Sequence, residues 1–150
     1  MYKFSQNSIN RIETLENQYL KKILYEAIKV SPIDFGIPYL GGKRTAEQQF
    51  ELFKKGRKQI KGRWIVINSS KKVTNADGYQ NKSYHQTGKA FDVVPYVDGK
   101  YTWDPYYMAI IAGTILSVAE KYQINLTWGG TFGKKGKVLK GWDKGHYQIK

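Results

Sequence analysis

Ser83-Tyr84-His85-Gln86-Thr87-Gly88-Lys89-Ala90-Phe91-Asp92 holds one of only two histidines in a chain of 150 residues that has no cysteine. The other histidine lies in Trp142-Asp143-Lys144-Gly145-His146-Tyr147-Gln148, again beside an aspartate. His85 and Asp92 are seven residues apart, an odd separation that would put them on opposite faces of one continuous strand. Gly88 and the run Val93-Val94-Pro95 argue against a helix there. The chain must therefore turn at Thr87-Gly88 and continue as a strand from Ala90 to Tyr96, with Asp92 on the inward face beside Ala90 and Val94. Asp143 and His146 also have an odd separation, and Gly145 allows the local bend that would bring both to one point.

This residue set suits a metal. Zinc takes nitrogen, sulfur or carboxylate ligands, so a chain without thiols must use imidazole and carboxylate. A closed structural site usually has four protein ligands rich in Cys, whereas a catalytic site has three and leaves a position for water. Two histidines and one aspartate fit the open kind and point to metal-assisted hydrolysis. Set against this, a histidine also serves many ordinary surface and core roles.

Working outward, the elements read as helices followed by short strands. Ile9, Ile12, Leu15, Leu20, Ile23, Leu24, Ala27 and Ile28 recur at helical spacing, with a break near Glu16-Asn17 and a stop at Ser31-Pro32. Thr45-Ala46-Glu47-Gln48 reads as a capping box, and the helix it starts should end by Gly56. Trp64-Ile65-Val66-Ile67 reads as a strand, Asn75-Ala76-Asp77-Gly78 as a turn, and Asp98-Gly99 as the turn closing the strand from Ala90. Asp104-Pro105 starts a helix whose apolar face is Met108, Ile111, Ala112, Ile115, Leu116 and Ala119. Leu126-Thr127-Trp128 and His146-Tyr147-Gln148-Ile149 read as strands, with Trp128 in the core rather than a cleft. Helices on one side of a small antiparallel sheet make an α+β fold, here one domain over residues 1–150.

The pattern Ser-x-His-x-x-Gly-x-Ala-x-Asp, filled by Ser83, His85, Gly88, Ala90 and Asp92 and followed by Asp143-x-x-His146, resembles the M15 family of zinc peptidases. That family includes D-Ala-D-Ala carboxypeptidases and dipeptidases, and phage endolysins that cut between L-Ala and D-Glu in peptidoglycan. Gly42-Lys43-Arg44-Thr45-Ala46-Glu47-Gln48 looks like a further family segment, whose glutamine aligns as Gln48 or Gln49. The resemblance runs from about Phe4 to the C-terminus and implies a Hedgehog/D-Ala-D-Ala-peptidase-like fold. It implies Zn²⁺ held by His85, Asp92 and His146, with Asp143 as the general base; otherwise Asp143 is a surface carboxylate or a partner of Lys144. An aspartate at that place, where the dipeptidases and many carboxypeptidases have Glu, looks more like the endolysin type. Arg44 would bind a substrate carboxylate, or the carbonyl oxygen near the cut, and act in catalysis. Ser83 would hydrogen-bond a ligand or the substrate backbone, or cap a turn; Gln86 would orient a ligand. Tyr147-Gln148 departs from the Phe-Glu that often follows the last histidine in relatives, which leaves the support of that ligand open.

The net charge of +13 attracts polyanions, here anionic cell-wall or outer-membrane polymers. No zinc finger, RNA-recognition motif or base-reading helix-turn-helix is visible, so nucleic acid is not expected as a partner. The basic residues look spread along the chain, and Lys71-Lys72 and Lys134-Lys135 are too short to count as charge runs. The N-terminal residues lack the roughly 7–15-residue apolar segment of a secretory signal, and no stretch reaches the ~20 apolar residues of a membrane span. The expectation is a monomer made in a cytoplasm that acts on the peptidoglycan stem peptide after release by another factor, such as a phage holin. Three readings stay open: an L-alanyl-D-glutamate endopeptidase, a D-Ala-D-Ala carboxypeptidase, and an inactive wall-binding module.

Overall fold

A computed structural model describes residues 1–133 and 141–150; Lys134-Lys135 lies outside the described residues. Helix α1 (Gln6–Glu13) is capped by Ser5, whose hydroxyl accepts from the Ser8 N–H. The break expected near Glu16-Asn17 is present, because Asn17 caps a second helix, α2 (Gln18–Val30), by accepting from the Tyr19 and Leu20 N–H groups. Leu20, Ile23, Leu24, Ala27 and Ile28 form its buried stripe. After the short strand β1 (Phe35–Gly36), helix α3 (Ala46–Lys54) begins with the expected reciprocal box between Thr45 and Gln48.

Strands β2 (Arg57–Ile60) and β3 (Arg63–Val66) pair only with each other, through a two-residue turn with positive φ at Lys61 and Gly62. The apolar run at 64–67 is strand as far as Val66, with Ile67 just beyond it, yet much of it lies at the surface: Ile65 is 44% and Ile67 61% exposed. One face of the hairpin leans on α3, with Trp64 edge-on to Phe50 and the Arg57 guanidinium 4.0 Å from the Phe53 ring centroid. Among the described residues the other face pairs with no further strand. This region also gathers charge. Residues 52–76 hold eight of the 25 Lys and Arg and no Asp or Glu, so the basic charge is more concentrated than the chain read end to end suggested.

The strand expected over Ala90 to Tyr96 is split at Val93 into β4 (Ala90–Asp92) and β5 (Val94–Val97). The Val93 N–H donates to the Gly145 carbonyl at 2.9 Å, a long-range bond that diverts the chain from one sheet to another. β5 pairs with β1 and, across the Asp98-Gly99 turn, with β6 (Lys100–Tyr101). Helix α4 (Pro105–Lys121) starts at the Asp104 cap and buries Met108, Ile111, Ala112, Ile115 and Ala119. Strands β7 (Leu126–Trp128) and β8 (His146–Ile149) complete a second three-stranded antiparallel sheet in the order β4-β8-β7. The architecture is α+β, with α2 packed on α4 and α4 packed on β5 and β7. No helix among the described residues is long and apolar enough to cross a membrane.

Alternation along β4 and β8 separates core from site. Phe91 lies opposite Tyr147, and their rings stack at 5.1 Å inside the main apolar cluster. On the other face Ala90 lies opposite Gln148, and Asp92 opposite His146. The Tyr147 hydroxyl is buried with no partner among the described residues. Tyr147→Phe keeps the stacked ring and removes that group. It is expected to stabilise the fold by about 1 kcal/mol, or roughly 2–4 °C in Tm. A thermal melt below that of the wild type would contradict the packing described.

Candidate metal centre

His85 sits on a 3₁₀ turn (Tyr84–Thr87) held at both ends. The Ser83 hydroxyl accepts from the His85 N–H, and the Gln86 side-chain oxygen accepts from the Ser83 N–H at 2.9 Å. The Gln86 amide nitrogen donates to the Gly78 carbonyl at 2.8 Å. Gly88, at φ +68°, closes the turn in the left-handed region, so the chain reverses at Thr87-Gly88 before entering β4. The His85 ring is buried, and its Nδ1 lies 2.8 Å from the Gly42 carbonyl. A carbonyl can only accept, so Nδ1 carries the proton and Nε2 presents its lone pair.

His146 is fixed the opposite way round. Its Nε2 lies 2.9 Å from Gln148 Oε1 and donates to it, which leaves Nδ1 with the lone pair. Three acceptor atoms therefore converge. His85 Nε2 and His146 Nδ1 are 3.1 Å apart, His85 Nε2 and Asp92 Oδ1 3.2 Å, and His146 Nδ1 and Asp92 Oδ1 3.0 Å. Ligands about 2.0–2.1 Å from a tetrahedral zinc lie roughly 3.3 Å from one another, so this triangle matches one face of such a tetrahedron. With protons on the facing ring nitrogens in place of a cation, burial would raise the Asp92 pKa, but the charge of His85, hydrogen bonds from both protonated rings and the Arg44 charge outweigh it and hold the carboxyl far below its ordinary range. Burial opposes protonation of His146, yet the Asp92 hydrogen bond and charge raise its pKa on balance. The cluster favours positive charge at its centre, and its donor set fits a zinc ion.

Arg44 holds the carboxylate in place. Its NH2 group donates to Asp92 Oδ2 at 2.7 Å, Nε to the Leu40 carbonyl at 2.6 Å, and NH1 to Gln49 Oε1 at 3.2 Å. With Oδ2 taken, Oδ1 faces the two histidines. Gln49 is fully buried and also donates to the Ala76 carbonyl at 3.1 Å. Of the two candidate glutamines, Gln49 therefore reaches the site, while Gln48 serves the helix cap.

Asp143 lines the same open cleft of about 520 Å³ as Arg44, His85, Asp92 and His146, but its carboxylate stands outside the ligand triangle. Lys144 Nζ donates to the Gly141 carbonyl and makes no ion pair with Asp143. Burial first, and then the charge of Asp92, raise the Asp143 pKa. The loop that carries it is clasped against Trp128-Gly129-Gly130. Trp128, buried as expected, donates from Nε1 to the Lys144 carbonyl at 2.7 Å, and the Gly141 N–H donates to Gly130 O at 2.9 Å. Gly145 has no left-handed φ; it is small because a Cβ would stand 3.1 Å from the Val93 carbonyl and 3.2 Å from the Trp103 ring.

A family model described as phage L-alanyl-D-glutamate peptidase matches residues 1–149. The chain belongs to that family. The L-alanyl-D-glutamate peptidase of Escherichia phage T5 is 26% identical to it over 154 residues, across 99% of this chain and 98% of the phage T5 protein. The crystal structure of the Serratia marcescens L-Ala D-Glu endopeptidase ChiX matches with a TM-score of 0.68 at 23% identity, covering 98% of this chain and 89% of that one. At that identity the second likeness is one of fold.

In this member of the phage peptidase family the structure brings His85, Asp92, His146, Asp143, Arg44 and Ser83 to one cleft. Gln86 acts on His85 only through the turn. Sequence reasoning missed two supports, Gln148 and the Gly42 carbonyl, and gave Gln49 only as one of two alignments without a role. Gln148 had a usable signal, since it lies two residues after His146 and so shares its strand face. The glycines after Trp128 carry a sharper message. A Cβ on Gly129 would fall 1.9 Å from the Asp143 carbonyl oxygen, so Gly129→Ala must push the Asp143 loop away by an ångström or more. Peptide cleavage should fall by roughly 10²-fold with zinc retained, as a displacement of that size implies. Near wild-type turnover by this variant would mean that the Asp143 loop is not held as described.

Proposed function

We propose that this chain hydrolyses the bond between L-Ala and D-Glu in the peptidoglycan stem, with a zinc ion held by His85, Asp92 and His146. The observation that carries the reading is the triangle of unprotonated ligand atoms, 3.0–3.2 Å on each side, opening into a cleft that also holds a carboxylate outside the ligand set. When bound, zinc supplies Lewis-acid polarisation of a carbonyl and lowers the pKa of water. Asp143 takes the proton of the attacking water and returns one to the leaving amine nitrogen. Arg44 has N–H groups beyond the three already engaged, and these point its role toward the carbonyl oxygen at the cut as well as toward Asp92. The Ser83 oxygen accepts from the backbone, which leaves its own proton to donate to a substrate carbonyl. Gln86 keeps His85 on axis by fixing the turn.

Removal and return of the metal test this reading. A chelator that strips the protein should abolish cleavage of a stem peptide, and about one equivalent of zinc should restore it. Full activity in metal-free, folded protein would refute it.

The charge supports a second contact, with anionic wall or outer-membrane polymers, for which the hairpin region offers a dense cationic surface among the described residues. Exposed charges are screened within ~8 Å at 0.15 M salt. Binding to whole walls should therefore weaken as salt rises, more than turnover of a short soluble muropeptide does. Replacement of Lys58, Lys61 and Arg63 by Gln should weaken wall binding in the same selective way. Equal salt sensitivity of both substrates would remove the targeting role.

A further inference from the structure

The catalytic cleft adjoins a groove of about 910 Å³ beside the N-terminal end of α3, and Arg44 and Lys82 line both. The groove is cationic: Lys43, Arg44 and Lys82 line it, and no carboxylate does. Two of these cations are already engaged. Lys43 pairs with Glu16, and Arg44 has three N–H groups on Leu40, Gln49 and Asp92, with the remainder assigned above to the carbonyl at the cut. Lys82 is exposed and makes no ion pair or side-chain hydrogen bond with any described residue. Apart from Arg44, it is the only Lys or Arg among the described residues lining the catalytic cleft.

The backbone that carries Lys82 is held on both sides. Asp77 Oδ1 accepts from the Tyr79 and Asn81 N–H groups at 2.9 and 2.8 Å, and the Ser83 N–H is bound by Gln86. The lysine thus stands at a fixed junction, three residues before the ligand His85, rather than on a loose loop. On the leaving side of the proposed cut lies a glutamyl residue. Whichever of its two carboxyl groups continues the stem, the other is free and lies within a few bonds of the leaving nitrogen. A cation at the mouth of the cleft, where Lys82 stands, would favour such an anion through a charge-assisted hydrogen bond.

We propose that Lys82 binds this free carboxylate, so that the site distinguishes a D-glutamyl residue from its carboxamide, and that the groove takes the part of the stem that follows. The inference rests on the L-Ala–D-Glu reading above.

Two defined stem peptides, alike except for a carboxylate or a carboxamide at that position, test it. The wild type should show a kcat/KM about tenfold to a hundredfold higher on the carboxylate peptide, the range for a hydrogen bond to a charged group. Lys82→Met should bring the ratio close to one, mainly by raising KM for the carboxylate peptide. Lys82→Arg should keep a preference, and Lys58→Met, on the hairpin away from the cleft and the groove, should keep the wild-type ratio. A ratio that survives in Lys82→Met, or a wild type that cuts both peptides equally well, would overturn the assignment while leaving the peptidase reading intact. Failure of the wild type to cut either peptide would instead overturn the reading on which it rests.

Discussion

Asp143→Asn should keep zinc and the fold while lowering peptide cleavage by roughly 10²–10⁴-fold, the loss expected when a general base is removed. The substitution keeps the shape of the side chain and removes its ability to take a proton. Asp143 lies outside the ligand triangle, and its loop is held by backbone contacts to Trp128, Gly129 and Gly130 rather than by its carboxylate. Nothing in the fold therefore depends on the charge that is lost. Asp143→Glu keeps the base and adds a methylene, so partial activity is expected, because the glycine contacts leave the loop little room to retreat. Elemental analysis beside steady-state kinetics checks both. Near wild-type rates in Asp143→Asn would place the base elsewhere, and loss of zinc would make Asp143 a ligand.

Removal of any one ligand should abolish zinc binding and cleavage together, but the three variants should differ in stability. His85→Ala frees the Gly42 carbonyl and His146→Ala the Gln148 side chain, while in either variant Asp92 keeps Arg44 and the other histidine. These proteins should fold. Asp92→Ala removes the partner of Arg44, whose side chain is only 11% exposed. An unpaired charge of this kind costs about 3–5 kcal/mol, so Asp92→Ala should melt well below the histidine variants. Thermal melts of the three metal-free proteins would show the order. Equal stability would mean that Arg44 finds water or another partner and does not depend on Asp92.

The parts of this architecture that were legible in the sequence are those governed by neighbours in the chain. Asn17, Thr45 and Asp104 cap helices because their side chains meet N–H groups two or three residues away, and such spacing can be read directly. The turn at Thr87-Gly88 followed from the odd separation of His85 and Asp92. Distant pairings were not legible. The split at Val93 depends on the Gly145 carbonyl, and the surface position of Ile65 and Ile67 depends on a hairpin that pairs with no further strand among the described residues. Arg44 could be singled out only by resemblance, and its contact with Asp92 joins residues 48 positions apart. The two histidine tautomers, set by a carbonyl at Gly42 and an amide at Gln148, likewise need the folded chain.

Mass spectrometry of purified peptidoglycan digested by the zinc-loaded protein tests the central claim most directly. The account predicts fragments in which L-Ala ends in a new carboxyl group and D-Glu begins with a new amino group, and predicts their absence with the His146→Ala protein. Release of terminal D-Ala with the L-Ala–D-Glu bond intact, or no new fragment at all, would contradict it.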